Sequence, residues 1–126
     1  MSISKVLVVD DEPDLRTISR LSLERVGGWK TFLAGSGKEA LEVAERELPD
    51  VILLDVMMPG MDGPTTLLEI RKRAALANIR VVFLTAKVQK HEVQAYVEMG
   101  ASGVIPKPFD PMKLPSELRR LLGEEG

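Results

Sequence analysis

Val6-Leu7-Val8-Val9 runs straight into Asp10-Asp11, Val51-Ile52-Leu53-Leu54 into Asp55, and Val81-Val82-Phe83-Leu84 into Thr85. Each run is continuously apolar rather than alternating, and β-branched residues recur in all three. That is the pattern of a strand covered on both faces, as in a parallel sheet. Thr31-Phe32-Leu33-Ala34 and Gly103-Val104-Ile105 are two weaker strands of the same kind. The segments between them carry a helical period. Leu15, Ile18, Leu21 and Val26 form a stripe after Pro13, stopped by Gly27-Gly28. Ala40, Leu41, Ala44 and Leu48 form a second, closed by Pro49, and Leu67, Leu68, Ile70 and Arg71 a third after Pro64. Val93, Tyr96, Val97 and Gly100 give a fourth. Leu114, Leu118, Leu121 and Leu122 give a fifth, for which Asp110 is the expected N-cap and Pro111 the first residue. Pro115 fits that helix only within its first turn, where a missing N–H is harmless.

Strand and helix thus alternate five times, which predicts an α/β fold with a parallel sheet between two helical layers. Right-handed crossovers bring the strand ends Asp10, Asp11, Asp55 and Thr85 to one edge. At 126 residues the chain is one domain, 1–126, large enough for a core without staples. Hydrophobic residues make up 44% and charged residues 29%, an ordinary globular balance. Seventeen basic against nineteen acidic side chains leave a net charge of −2, which provides no field for a nucleic-acid backbone. With no cysteine and a single histidine, His91, disulfides, thiolate chemistry and multi-His metal sites are excluded. The apolar run after Lys5 is too short for a signal core or a membrane span, so a cytoplasmic location without membrane contact is expected.

The carboxyl edge of an open α/β sheet is where ligands bind. Here it gathers Asp10, Asp11, Asp55 and Thr85, and Lys107 follows the fifth strand. Three carboxylates at one edge repel one another and invite a hard cation; Mg²⁺ takes such oxygens together with water and phosphate. A hydroxyl and an ammonium opposite them complete a phosphate cradle. Taken singly, each residue has a plainer reading: an Asp after a strand turns the chain or caps a helix, Thr85 caps the fourth helix, Lys107 is a solvated charge. Their coincidence at one edge is what argues against it. Elsewhere the plain reading stands. His91 is an exposed helix residue, Trp29 covers the end of the core, Met57, Met58 and Met61 pack one loop, and Arg71-Lys72-Arg73 is a solvated helix end.

In order along the chain, Val6 to Glu12, Leu53 to Gly63, Leu84-Thr85-Ala86, Gly100-Ala101-Ser102-Gly103 and Lys107-Pro108-Phe109 resemble the receiver domain of bacterial two-component response regulators. The resemblance covers essentially the whole chain. It implies a flavodoxin-like (βα)5 fold with strand order 2-1-3-4-5. It implies a phosphoryl group accepted on Asp55 from a sensor histidine kinase or histidine phosphotransfer protein, with Mg²⁺ required. Asp10, Asp11, Asp55 and the Met57 carbonyl would hold the metal, Asp11 directly and Asp10 mainly through water. Thr85 and Lys107 would contact phosphoryl oxygens, beside a small Ala86, and the Lys107-Pro108 bond would be cis. A downstream protein target and slow loss of the chain's own phosphoryl group are further implications; this is a signal carrier rather than a conventional enzyme, with no organic cofactor. In one place the sequence departs from the pattern. Val104 stands where many receivers carry the aromatic that follows the phosphoryl-sensing hydroxyl.

Two other readings compete. A Mg²⁺-dependent phosphatase with an Asp nucleophile usually has a second Asp two residues on, where this chain has Met57. A pure binding module that no longer takes phosphate would typically have lost Asp55 or Lys107, and both are present.

Overall fold

The computed structural model describes residues 3–123. Strands β1 (Lys5–Val9), β2 (Lys30–Ala34), β3 (Val51–Asp55), β4 (Arg80–Thr85) and β5 (Gly103–Pro106) form one sheet. All four pairings are parallel and the order is β2-β1-β3-β4-β5. Helices α1 (Pro13–Leu21), α2 (Gly37–Glu47), α3 (Gly63–Lys72), α4 (Lys90–Glu98) and α5 (Leu114–Leu122) connect and cover the strands.

The continuous apolar runs are explained by two cores, one on each face. Leu7, Val9, Ile52, Leu54, Val81 and Phe83 point toward α2 and α3. Their alternates Val6, Val8, Leu53, Val82 and Leu84 meet Leu23, Leu114 and Leu118 on the other side. Trp29 closes that second core at its end, as expected, with the Arg119 guanidinium 4.6 Å from its ring centre.

The helical stripes do not all face inward. Ile18, Leu21 and Val26 are exposed, and α1 instead buries Ser19, with Ser22 and Leu23 following. After Leu21 the helix widens into a π turn, Ser22–Val26, which rotates Leu23 inward. The Ser22 hydroxyl donates to the Pro111 carbonyl, tying this turn to the chain before α5. Leu48, Leu68 and Val97 are likewise exposed. Leu48 ends α2 in the left-handed conformation, φ 48°. Arg71 is no solvated helix end: its guanidinium donates to the carbonyls of Ala77, Ile79 and Gly100 and staples two loops, while Lys72 and Arg73 pair with Glu69 and Glu45. Asp110 caps a separate turn rather than α5. Its carboxylate takes the Met112 N–H and its carbonyl those of Lys113 and Leu114, so α5 begins at Leu114 with Pro115 in its first turn.

Candidate functional site

The sheet's carboxyl edge is built by strand ends that stop in step. Val9 pairs with Ala34 and Leu54, Asp55 with Leu84, and Thr85 with Pro106. One residue beyond the β5 ladder, the Lys107 N–H donates to the Thr85 carbonyl at 3.0 Å, so the start of the following loop is pinned. The Lys107-Pro108 bond is cis, as the resemblance implies.

From that pinned backbone the Lys107 ammonium reaches back over the edge. It lies 3.2 Å from Asp10 Oδ2 and 3.2 Å from Asp55 Oδ1. Asp10, Asp55 and Thr85 are buried, and Asp11 lies nearer solvent beside them. One carboxylate oxygen from each of Asp10, Asp11 and Asp55 falls within 4.8 Å of the others. The structure therefore brings together four of the residues singled out in the sequence, Asp10, Asp11, Asp55 and Lys107, with Thr85 at the neighbouring strand end.

Three carboxylates face one ammonium, and the shortfall shows in the electrostatics. Burial first, and the Asp10 charge second, push the Asp55 carboxyl up to about 6, against the pull of Lys107 and the Met57 N–H. Lys107 is held above its ordinary range because Asp10 and Asp55 outweigh the effect of its own burial. Asp10 Oδ2 has no well-angled hydrogen bond among the described residues and lies 3.2 Å from that ammonium. An all-oxygen donor set with an uncompensated negative charge fits a divalent hard cation.

The loop after Asp55 is shaped for access. Met57 is 62% exposed and its N–H donates to Asp55 Oδ1 at 3.3 Å, while Met58 is buried. Gly60 turns the loop at φ 74°. Gly63 is required by proximity: a Cβ there would lie 2.5 Å from the Asp55 carbonyl oxygen. Thr85 does not cap α4. Its hydroxyl accepts the Lys87 N–H at 3.0 Å, and α4 starts later, where Glu92 takes the Gln89 N–H. Val104 sits opposite Phe83 in the β4–β5 register, and the ring packed on Phe83 comes from α4: Tyr96, centroids 5.0 Å apart.

The family model of the response regulator receiver domain matches residues 6–119. The chain belongs to that family. Its relatives include the alkaline phosphatase synthesis transcriptional regulatory protein PhoP of Bacillus subtilis, 36% identical over 94% of this chain and 48% of PhoP. Response regulator Rre1 of Synechocystis is 36% identical over 95% of this chain and 52% of its own. The receiver thus spans about half the length of these curated relatives. Among solved structures, chemotaxis response regulator CheY4 of Vibrio cholerae superposes with a TM-score of 0.87 at 32% identity, covering 95% of this chain and 99% of CheY4. The sheet order and five helices expected from the sequence are those observed. No described helix is long and apolar enough to cross a membrane.

One contact had no signal in the sequence. The Arg16 guanidinium donates to the Asp10 carbonyl at 2.7 Å.

Proposed function

We propose that residues 1–126 form one cytoplasmic receiver domain that takes a phosphoryl group onto Asp55 and thereby switches a protein-binding surface. The observation that carries this reading is the under-neutralised cluster Asp10, Asp11 and Asp55 with the Lys107 ammonium 3.2 Å from the acceptor. Asp55 Oδ1 is engaged by Lys107 and the Met57 N–H, so Oδ2 is the nucleophile. It bonds to phosphorus as the P–N bond of a donor phosphohistidine breaks, and the imidazole keeps the electron pair. Such transfer depends on positioning and charge neutralisation more than on covalent help from the protein. Lys107 neutralises one phosphoryl oxygen, and the Thr85 hydroxyl turns from Lys87 to donate to another. Mg²⁺, held by Asp10, Asp11, Asp55 and the Met57 carbonyl, would supply the remaining positive charge. Hydrolysis of the acyl phosphate in the same site returns the receiver to its resting state.

The donor is a sensor histidine kinase or a histidine phosphotransfer protein. Beside Lys107 and Ala86, a cleft lined by Leu15, Ile18, Phe109 and Pro111 opens toward solvent. Exposed Leu21 and Met112 extend the apolar surface away from it. An apolar stripe that runs up to Lys107, beside the acceptor, suits the apolar face of such a donor.

Incubation with acetyl phosphate and Mg²⁺, read by intact mass, tests the reading. One phosphoryl mass is expected in wild type, none in Asp55→Asn, and none in excess EDTA. A label that survives Asp55→Asn overturns the acceptor, and one that survives EDTA overturns the metal.

A further inference from the structure

We propose that Arg16 is a positioning residue for the acidic pair, acting through the main chain of Asp10. The β1 ladder ends at Val9, which pairs with Ala34 and Leu54. Asp10 lies just past it, and its N–H, its Oδ1 and its carbonyl each have a hydrogen-bond partner. Its N–H donates to the Ala34 carbonyl at 3.1 Å and its Oδ1 accepts the Glu12 N–H at 2.9 Å. Its Oδ2 faces Lys107. Its carbonyl, beyond the reach of strand pairing, accepts from Arg16 Nη1 at 2.7 Å. A buried carbonyl left without a partner is costly, and a guanidinium donor makes a short, strong, directional bond. That bond fixes the plane of the peptide joining Asp10 to Asp11, and so the direction in which Asp11 leaves the strand.

A second observation shows room made for this contact. A Cβ on Gly35 would lie 3.1 Å from Arg16 Nη1 and 3.6 Å from Glu39 Oε1. The Gly35 backbone is outside the left-handed region, so conformation does not require glycine there. What its missing side chain leaves is space for the guanidinium between the β2–α2 turn and the end of β1.

The inference rests on the reading of Asp10 and Asp11 as metal holders, and one titration separates the two. Mg²⁺ is titrated into wild type, Arg16→Met, Arg16→Lys and Gly35→Ala, following backbone amide shifts by NMR, with Tm measured alongside. Residues that orient metal ligands typically alter affinity by about 10–100-fold. Arg16→Met is expected to raise the Mg²⁺ dissociation constant about tenfold. Arg16→Lys should recover part of that loss. Gly35→Ala, which displaces only the end of a flexible side chain, should fall between wild type and Arg16→Met with little change in Tm. A wild-type constant in Arg16→Met overturns the proposal, whatever its Tm. If Arg16→Met does not fold, a wild-type constant in Gly35→Ala overturns it and a raised one upholds it. A wild type that shows no Mg²⁺ response overturns the metal reading itself, and this inference with it.

Discussion

Asp50 and Asp55 stand at opposite ends of β3, five positions apart, and the fold treats them in opposite ways. Asp50, at the entrance, gives one oxygen to the Ser4 N–H at 2.8 Å, the Ser4 hydroxyl at 3.0 Å and the Lys5 N–H at 2.8 Å. Burial pushes its carboxyl up, but those donors and the Arg80 charge outweigh it and hold it below its ordinary 3.8. Asp55, at the exit, has burial and a neighbouring carboxylate against it and is pushed up to about 6. One carboxylate is saturated with donors and fastens the N-terminal segment to the sheet. The other is kept short of them, which leaves its charge uncompensated, as the proposed acceptor and metal ligand requires. The two acids are therefore told apart by burial and by the balance of donors and like charges around them, not by residue type.

The sharpest way to break this contrast is a pair of substitutions in the metal-free protein at neutral pH. Asp50→Ala orphans three donors and should lower unfolding stability by about 1–3 kcal/mol. Asp55→Asn removes an unfavourable charge and should leave stability equal or higher. Equal losses in urea titrations of the two variants would refute the distinction. A smaller effect lies in pH. The folded state holds a proton on Asp55 up to about 6, whereas the unfolded chain releases it near 3.8. Stability from this group is therefore full below about pH 4 and declines as pH rises toward 6. The advantage of Asp55→Asn over wild type should open across that window and level off above it; a difference flat with pH would sink the assignment. Asp50 works the other way, its contribution persisting above 3.8 and fading only as pH falls through its depressed value. The smallest effect is expected from Ser4→Ala, which removes one of three donors at a partly solvated site. A loss of roughly 0.5 kcal/mol is expected, at the low end for a single hydrogen bond. A loss as large as that of Asp50→Ala would mean the hydroxyl, not the carboxylate, is the fastening.

The sheet was legible because both-face burial leaves unbroken apolar runs, and because the polar residues ending them mark where the ladder stops. Asp10, Asp55 and Lys107 could be gathered from sequence for the same reason. The helices were less legible. An apolar residue at helical spacing has no obligation to be inside, and Ile18, Leu21 and Val26 line a surface while Ser19 takes the inward position. Arg16 and Asp50 carry no signal in the sequence, and Arg71 reads as a solvated charge, because their partners are backbone groups. Nothing in a side-chain pattern announces that the carbonyl of Asp10 or Gly100, or the N–H of Lys5, lacks a mate.

Among the five helices, α4 has no fully buried residue; its hold on the sheet runs through half-buried side chains, with Tyr96 seated on Phe83. Phe83 is two residues before Thr85 on the same face of β4, and the loop between Thr85 and α4 is tethered by the Thr85 hydroxyl. In terms of cooperative units, so few buried contacts predict a low local opening free energy for α4. Backbone amides in α4 should exchange with solvent well before those of β1 and β3. A segment so lightly held is the one expected to change its seating at the least cost. A ligand contact at Thr85 worth only a modest differential energy would then suffice to shift α4 without disturbing either core.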